Sequence, residues 1–511
     1  MTRKWLAVFM LIFLAPAVVF VLSGCGGGGE GGTGGGSMMP VGGEPVYDWT
    51  KKFGGEFSDH GRAVATDSSG NIYIAGSFTG YVKFAADFGG EEPKISSGNT
   101  DIFVTKISAN GTHEWTKRIG GAGNDGASGI AVDADDNVYV VGYFEGTVDF
   151  AADFIGVSDS KISVGLYDAF VTKLSSNGTY GWTKRIGGTG NDKASASGIA
   201  VDTSGNVYIA GSFWGEFDFA DDFSGHSDLK TSADMYNAFV TKLSPSGDYF
   251  WTKRIGGAGN DGASGIAVDA HDNVYVAGYF EKTVDFRADF GGEETKISYG
   301  DTTDIFVTRI DASGTYGWTK RIGGEDNDKA SGIAVDADDN VYIAGSFRGE
   351  FDFADDFAGE PDQGASHGDE DIFITMLTAD GDYGWSRRMG GAGADAACAV
   401  AVDSSGGIYV TGYFEQTVDF RADFGGNNTK TSAGKQDIFI TKVSPDGTYA
   451  WSRRMGGVYD DYGLGITVNQ ADVVYMTGFF TGSVNFGSDF GKSDFKRSTG
   501  QTDVFLTKIT P

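Results

Sequence analysis

An all-β fold of seven four-stranded sheets is what this sequence of 511 residues predicts, and three observations predict it. One stretch, GIAVDADDNVYVVGYF at residues 129–144, recurs with small edits at 198–213, 265–280, 332–347, 399–414 and 465–480, and more loosely at 61–78. The tryptophans of a W-[TS]-[KR]-[KR] motif stand at 49, 115, 182, 251, 318, 385 and 451, so the period is 66 to 69 residues. Each period holds four strand-like runs, whereas the chain opens on an orphan fourth run (residues 47–53) and ends just after a third. Such an array is completed when its first strand joins its last sheet. The expectation is a seven-bladed β-propeller over residues 45–511, closed by pairing the N-terminal strand with the last blade.

Each run is justified by its pattern. In the second unit they are GIAVD (129–133), NVYVVGYF (137–144), DAFVTKL (168–174) and YGWTKRI (180–186). The first two are almost continuously apolar, as strands covered on both faces are. The fourth carries two charges and suits an outer edge, where Lys and Arg also discourage pairing with other chains. Between the first and second runs the fourth turn position is Gly70, Asp136, Gly205, Asp272, Asp339, Gly406 or Asp472. Only Gly and Asp occur there, which marks a residue with positive φ. Glycines at 111, 178, 247, 314, 381 and 447 mark the turn between third and fourth runs.

Ahead of the repeats, residues 1–24 read as a secretory leader: Arg3 and Lys4, then an uncharged apolar run from Trp5 to Leu22. Leu22-Ser23-Gly24-Cys25 matches a bacterial lipoprotein signal box, which makes Cys25 the expected lipidation site and residues 25–44 a Gly-rich tether. Gly26 stands where an aspartate would signal inner-membrane retention, so the expected location is the outer membrane, reached through the lipid anchor only. Cys398 is the one other cysteine and reads as a buried thiol in an apolar strand. A formal charge of −31 argues against nucleic acid, whose binding needs clustered Lys and Arg.

GGAGNDGASGIAVDADDNVYVVGYF followed by DAFVTKLSSNGTYGWTKRIGG resembles the SBBP-type β-propeller repeat of exported bacterial proteins. The resemblance covers about residues 45–511 and implies a propeller; it implies no settled activity and no catalytic residues. Units also alternate between YFE-[GKQ]-TVDF (Tyr143, Tyr279, Tyr413) and SF-x-GEFDF (Ser212, Ser346), which reads as duplication of a two-blade piece.

In such a blade the segment after the second strand and the GGxGND loop before the first share one face. The inserts carry a D-F-x-A-D-F core, and the loops carry Asp125, Asp192, Asp261, Asp328 and Asp395. Asp125, Asp149, Asp153, Asp261, Asp285 and Asp289 are the cation candidates, with calcium the only cofactor considered, because hard cations take several carboxylates. The competing expectation is that the inserts bury their Phe residues and use Asp to bond loop backbone. The basic pairs of the fourth strands, from Lys51/Lys52 to Arg453/Arg454, read either as a girdle for an anionic polymer or as partners of insert aspartates. Histidines 60, 113, 226, 271 and 367 share no metal spacing, and no nucleophile elbow, phosphate loop or HExxH occurs. The asymmetric residues Trp214, His226, Tyr236 and His367 form no catalytic set. The sequence therefore predicts a noncatalytic, monomeric surface lipoprotein that binds a protein or surface glycan through the insert-bearing face. The alternatives are an enzyme with a site at the channel mouth and a structural envelope component.

Overall fold

The computed structural model describes residues 44–188, 193–223, 227–232, 235–300, 302–359 and 361–511, the side chains of 193–197 excepted. The leader, Cys25 and the tether up to residue 43 lie outside the described residues. What is described is all β, apart from turns and short 3-10 segments.

The first complete sheet shows how a unit is made. Strands β2 (His60–Thr66), β3 (Ile72–Lys83), β4 (Pro93–Ile107) and β5 (His113–Ile119) form an antiparallel sheet in sequence order. Five-residue turns join β2 to β3 and β4 to β5, with Thr66 opposite Ile72 and Ile107 opposite His113. The predicted left-handed residues are found there: φ is 77° at Gly70, 60° at Asp136 and 82° at Gly111. Buried Asp133 holds its turn by accepting the N–H groups of Asp135 (3.0 Å) and Asn137 (2.8 Å) and the Tyr139 hydroxyl (3.0 Å). The DADDN segment is thus an Asp-centred turn.

The buried pair is the second and third strands; Val138–Phe144 and Asp168–Leu174 each have six of seven residues buried. The first strand departs from the expectation of cover on both faces, because it forms the inner edge and bulges. Its register slips between Ala127 and Gly129, between Ala263 and Gly265, and between Ala397 and Ala399. Cys398 sits in the last of these bulges and is half-buried. First strands pack side by side: His60–Thr66 touches Gly126–Val132, and contacts pass through Lys193–Val201, Gly262–Val268, Lys329–Val335, Ala396–Val402 and Tyr462–Val468 back to His60–Thr66.

The orphan strand β1 (Val46–Phe53) pairs antiparallel with Phe495–Thr510, from Val46 opposite Thr510 to Phe53 opposite Val504. Phe495–Thr510 continues to Val474–Asn485 and Tyr462–Val468 in one four-stranded sheet.

Two expectations change. Three four-strand sets merge into a 12-stranded sheet, because the Gly-Gly steps after fourth strands pair with the next insert: Gly323 with Asp352, Gly324 with Phe351, Gly390 with Asp419 and Gly391 with Val418. At two other junctions the link is a single bridge, Gly55–Val82 and Gly188–Phe217. The inserts, read as loops, are hairpin extensions of the second and third strands. Beyond Thr79 opposite Thr100 the ladder resumes with Tyr81 opposite Ile95 and ends at Lys83 opposite Pro93, and the 3-10 turn Ala86–Phe88 follows β3.

Candidate functional site

The insert-bearing end of each inner edge is set by one cross-strand pair. Gly126 faces Tyr143, Gly262 faces Tyr279 and Ala396 faces Tyr413, whereas Lys193 faces Ser212 and Lys329 faces Ser346. A Cβ on Gly126 would come within 2.8 Å of the Tyr143 ring, so a small residue opposite the tyrosine is a steric requirement. Cross-strand complementarity of this kind gives the two-unit alternation a physical meaning.

At the seam the pattern yields to aromatics on both strands. Tyr413 and Tyr462 lie 4.6 Å apart, Tyr462 stacks on Phe479 at 4.8 Å, and Phe479 meets the His60 ring edge-on at 4.5 Å. All four are partly exposed. Burial and the nearby Arg62 guanidinium push His60 down to about 4, so the arc carries a neutral imidazole at neutral pH. Burial pushes the Cys398 thiol up to about 12 against the pull of Arg62, which leaves it protonated and unreactive.

The six aspartates proposed for a cation are not gathered. Asp125 is buried, accepting Gly121 N–H at 2.7 Å and Glu145 N–H at 3.0 Å; Asp261 does the same with Gly257 (2.7 Å) and Glu281 (3.1 Å). Asp149 closes its hairpin on the N–H groups of Ala151 (3.0 Å) and Asp159 (2.9 Å), and Asp285 on those of Arg287 (3.0 Å) and Glu294 (2.8 Å). Asp153 reaches the preceding unit, taking Lys94 Nζ at 2.8 Å and Arg118 N–H at 3.0 Å. Asp289 takes Lys230 Nζ at 2.9 Å and Arg254 N–H at 3.0 Å. Among the described residues the one trio placed to share a cation is Asp269, His271 and Asp339, which includes none of the six.

The basic pairs are taken up by the inserts. Lys117 lies over the Phe154 ring at 4.9 Å and Lys253 over Phe290 at 5.1 Å, each clasping the insert of the next unit. Burying a Phe contributes about 1.5–3 kcal/mol, against about 0–1 kcal/mol for a partly exposed ion pair. The inserts are therefore held by their rings, and the Asp–Lys pairs set their angle. Trp214 and Tyr236 approach to 6.4 Å, His226 lies outside the described residues, and His367 Nδ1 meets Asp371 Oδ2 at 3.1 Å; the three described residues build no common site.

The family described as the SBBP β-propeller repeat matches residues 48–79, 114–143, 181–218, 251–279 and 317–346. The chain carries five repeats of that family. An uncharacterized WD repeat-containing protein, L264, of Acanthamoeba polyphaga mimivirus is 23% identical over 506 residues, covering 86% of this chain and 36% of that protein. The regulatory protein FlaEY of Caulobacter vibrioides is 25% identical over 209 residues, covering 40% of this chain and 21% of its own length. This SBBP chain thus spans about a third and about a fifth of these two relatives. A PQQ-bound aldose sugar dehydrogenase from Streptomyces coelicolor superposes with a TM-score of 0.32 at 10% identity, covering 91% of this chain and 100% of that one; a likeness at that level carries no activity across.

Reading the SBBP repeat as sequence missed two groups. The aromatic arc joins residues from three distant segments, and only the replacement of Gly126-like residues by Tyr462 signals it. The aspartates that open third strands, such as Asp101, were read as strand residues, yet Asp101, Asp304, Asp371, Asp437 and Asp503 are each buried beside a loop aspartate of the next unit.

Proposed function

We propose that the chain is a closed seven-bladed propeller, held at the bacterial outer membrane by lipidated Cys25, that works without catalysis as a binding scaffold for a surface glycan. The pairing of β1 with Phe495–Thr510 and the return of first-strand contacts to His60–Thr66 support closure. One observation carries the binding reading: the partly exposed arc Tyr413–Tyr462–Phe479–His60 at the insert-bearing end. Rigid aromatic faces with polar edges stack on the C–H face of a pyranose while their hydroxyls meet its polar rim. Exposed Lys329 opposite Ser346 adds a hydrogen-bond donor at the same level of the sheet.

Retention on immobilised surface polysaccharide tests the glycan. Tyr413→Ser with Phe479→Ser, which copies Ser212 and Ser346, should weaken binding at least about tenfold, roughly 1.4 kcal/mol. Equal retention of the variant moves the ligand off the arc, and no retention of the unaltered protein ends the glycan reading. A Cys25→Ser chain that still fractionates with outer membrane removes the anchor.

A further inference from the structure

Asp101, at the start of a third strand, is fully buried; its Oδ2 accepts Arg118 Nη1 at 2.6 Å and Ser97 N–H at 2.9 Å. Its Oδ1 is equally buried and has no donor, and the same holds for Oδ1 of Asp304, Asp371, Asp437 and Asp503. One unit differs and explains the rest. Asn237 stands in the position of Asp101, and its Oδ1 accepts from Arg254 Nη1 at 3.3 Å. Its Nδ2 donates to Asp261 Oδ2 at 3.0 Å and lies 3.3 Å from the carbonyl oxygens of Gly257 and Tyr236. The repeat is in register, so Oδ1 of Asp101 occupies the place of that Nδ2, facing Asp125 Oδ2. A Cβ on Gly120 would meet Asp101 Cγ at 2.3 Å, and the next residue's N–H holds Asp125 Oδ2 at 2.7 Å. An oxygen surrounded by acceptors needs a hydrogen of its own.

We propose that each of these aspartates shares one proton with the loop aspartate of the next unit, pairing Asp101 with Asp125, Asp304 with Asp328, Asp371 with Asp395, Asp437 with Asp461, and Asp503 with Asp59. The junctions between units are then proton-binding sites, and the last of them ties the two ends of the repeat array. Charge supports one proton per pair. Arg118, Arg321, Arg454 or Lys52 balances one carboxylate of its pair, and His367 stands there beside Asp371. The other charged groups in reach are acidic: Glu145 at the first pair, Asp355 and Asp326 at the second, Glu415 at the third and Asp460 at the fourth. Burial raises the loop carboxyls, Asp125 to about 6 and Asp328 and Asp461 to about 8, and raises Asp261 beside Asn237 to about 7 as well, so the pairing itself rests on the Oδ1 atoms that lack a donor. The folded protein therefore keeps protons that the unfolded chain releases near pH 4. Stability falls as pH rises from about 4 to about 8.

Isotope-edited infrared spectroscopy of the full chain with labelled aspartate counts protonated carboxyls directly. Five or more are expected at pH 6; replacing Asp101, Asp304, Asp371 and Asp437 by Asn, as in the natural Asn237 unit, should remove four. That variant should also lose part of the fall in melting temperature between pH 5 and pH 8, the part that burial of the loop carboxyls does not supply alone. The single variant Asn237→Asp should add one protonated carboxyl and steepen the fall, which keeps the test open if the quadruple variant does not fold. Fully ionised aspartates at pH 6 overturn the proposal. So does calcium bound at these pairs that restores stability at pH 8, since a metal would then occupy the place of the proton.

Discussion

Asp133 satisfies two backbone N–H groups, the side-chain amide of Asn137 and the buried hydroxyl of Tyr139 with one carboxylate. Replacing it by Ala leaves the Tyr139 hydroxyl without that acceptor and frees a turn that needs φ of 60° at Asp136. Asp133→Ala should therefore cost about 2–4 kcal/mol, because each buried polar group left unsatisfied costs about 1–3 kcal/mol; equilibrium denaturation in urea checks it. An exposed neighbour such as Ala134 changed to Ser should move stability by less than about 0.5 kcal/mol. The turn itself was legible in the sequence because it is local, lying within seven consecutive residues, although the acceptor role of Asp133 was not read there. The carboxyl pairs were not legible. Asp101 and Asp125 belong to different motifs, 24 positions apart, and nothing in either motif announces a missing donor.

At the scale of the element, strand periodicity located the second and third strands well, since their buried runs are continuous. It misread the inserts as loops for a physical reason. The outer half of β4 alternates exposed and half-exposed residues and buries none, so no apolar period marks it as strand. What holds it is ladder hydrogen bonding and the Phe residues beneath, as Phe84 packs on Phe78 at 5.4 Å and Phe103 at 5.1 Å. The strand with most at stake is β1. Deleting residues 40–55 removes Tyr47 and Phe53 from the core and strips the partner from Phe495–Thr510. The expected result is a lower melting temperature together with self-association through the open strand edge, read by thermal melting and size-exclusion chromatography. An unaltered melt would show that β1 adds nothing to the last sheet.

For the whole molecule, the acids behind the net charge of −31 are sorted by depth. Insert aspartates bind lysines of the preceding unit: Lys94 with Asp153 at 2.8 Å, Lys296 with Asp356 at 2.7 Å, and Lys496 with Asp87 at 3.1 Å across the chain ends. Turn aspartates are buried hubs, and the junction aspartates form the carboxyl pairs. Composition alone cannot separate these roles, because depth follows from the register of strands that the composition does not contain.

The pairing of Val46 with Thr510 has one more consequence. With its ends side by side, the architecture has no preferred starting point: joining residue 510 to residue 46 by a short linker and cutting the exposed insert tip at Gly425–Gly426 would yield a circular permutant with every strand pairing intact. Its far-ultraviolet circular dichroism and melting profile should match those of the parent, and a permutant that stays unfolded would mean that the order of synthesis, rather than the finished pairing, directs assembly.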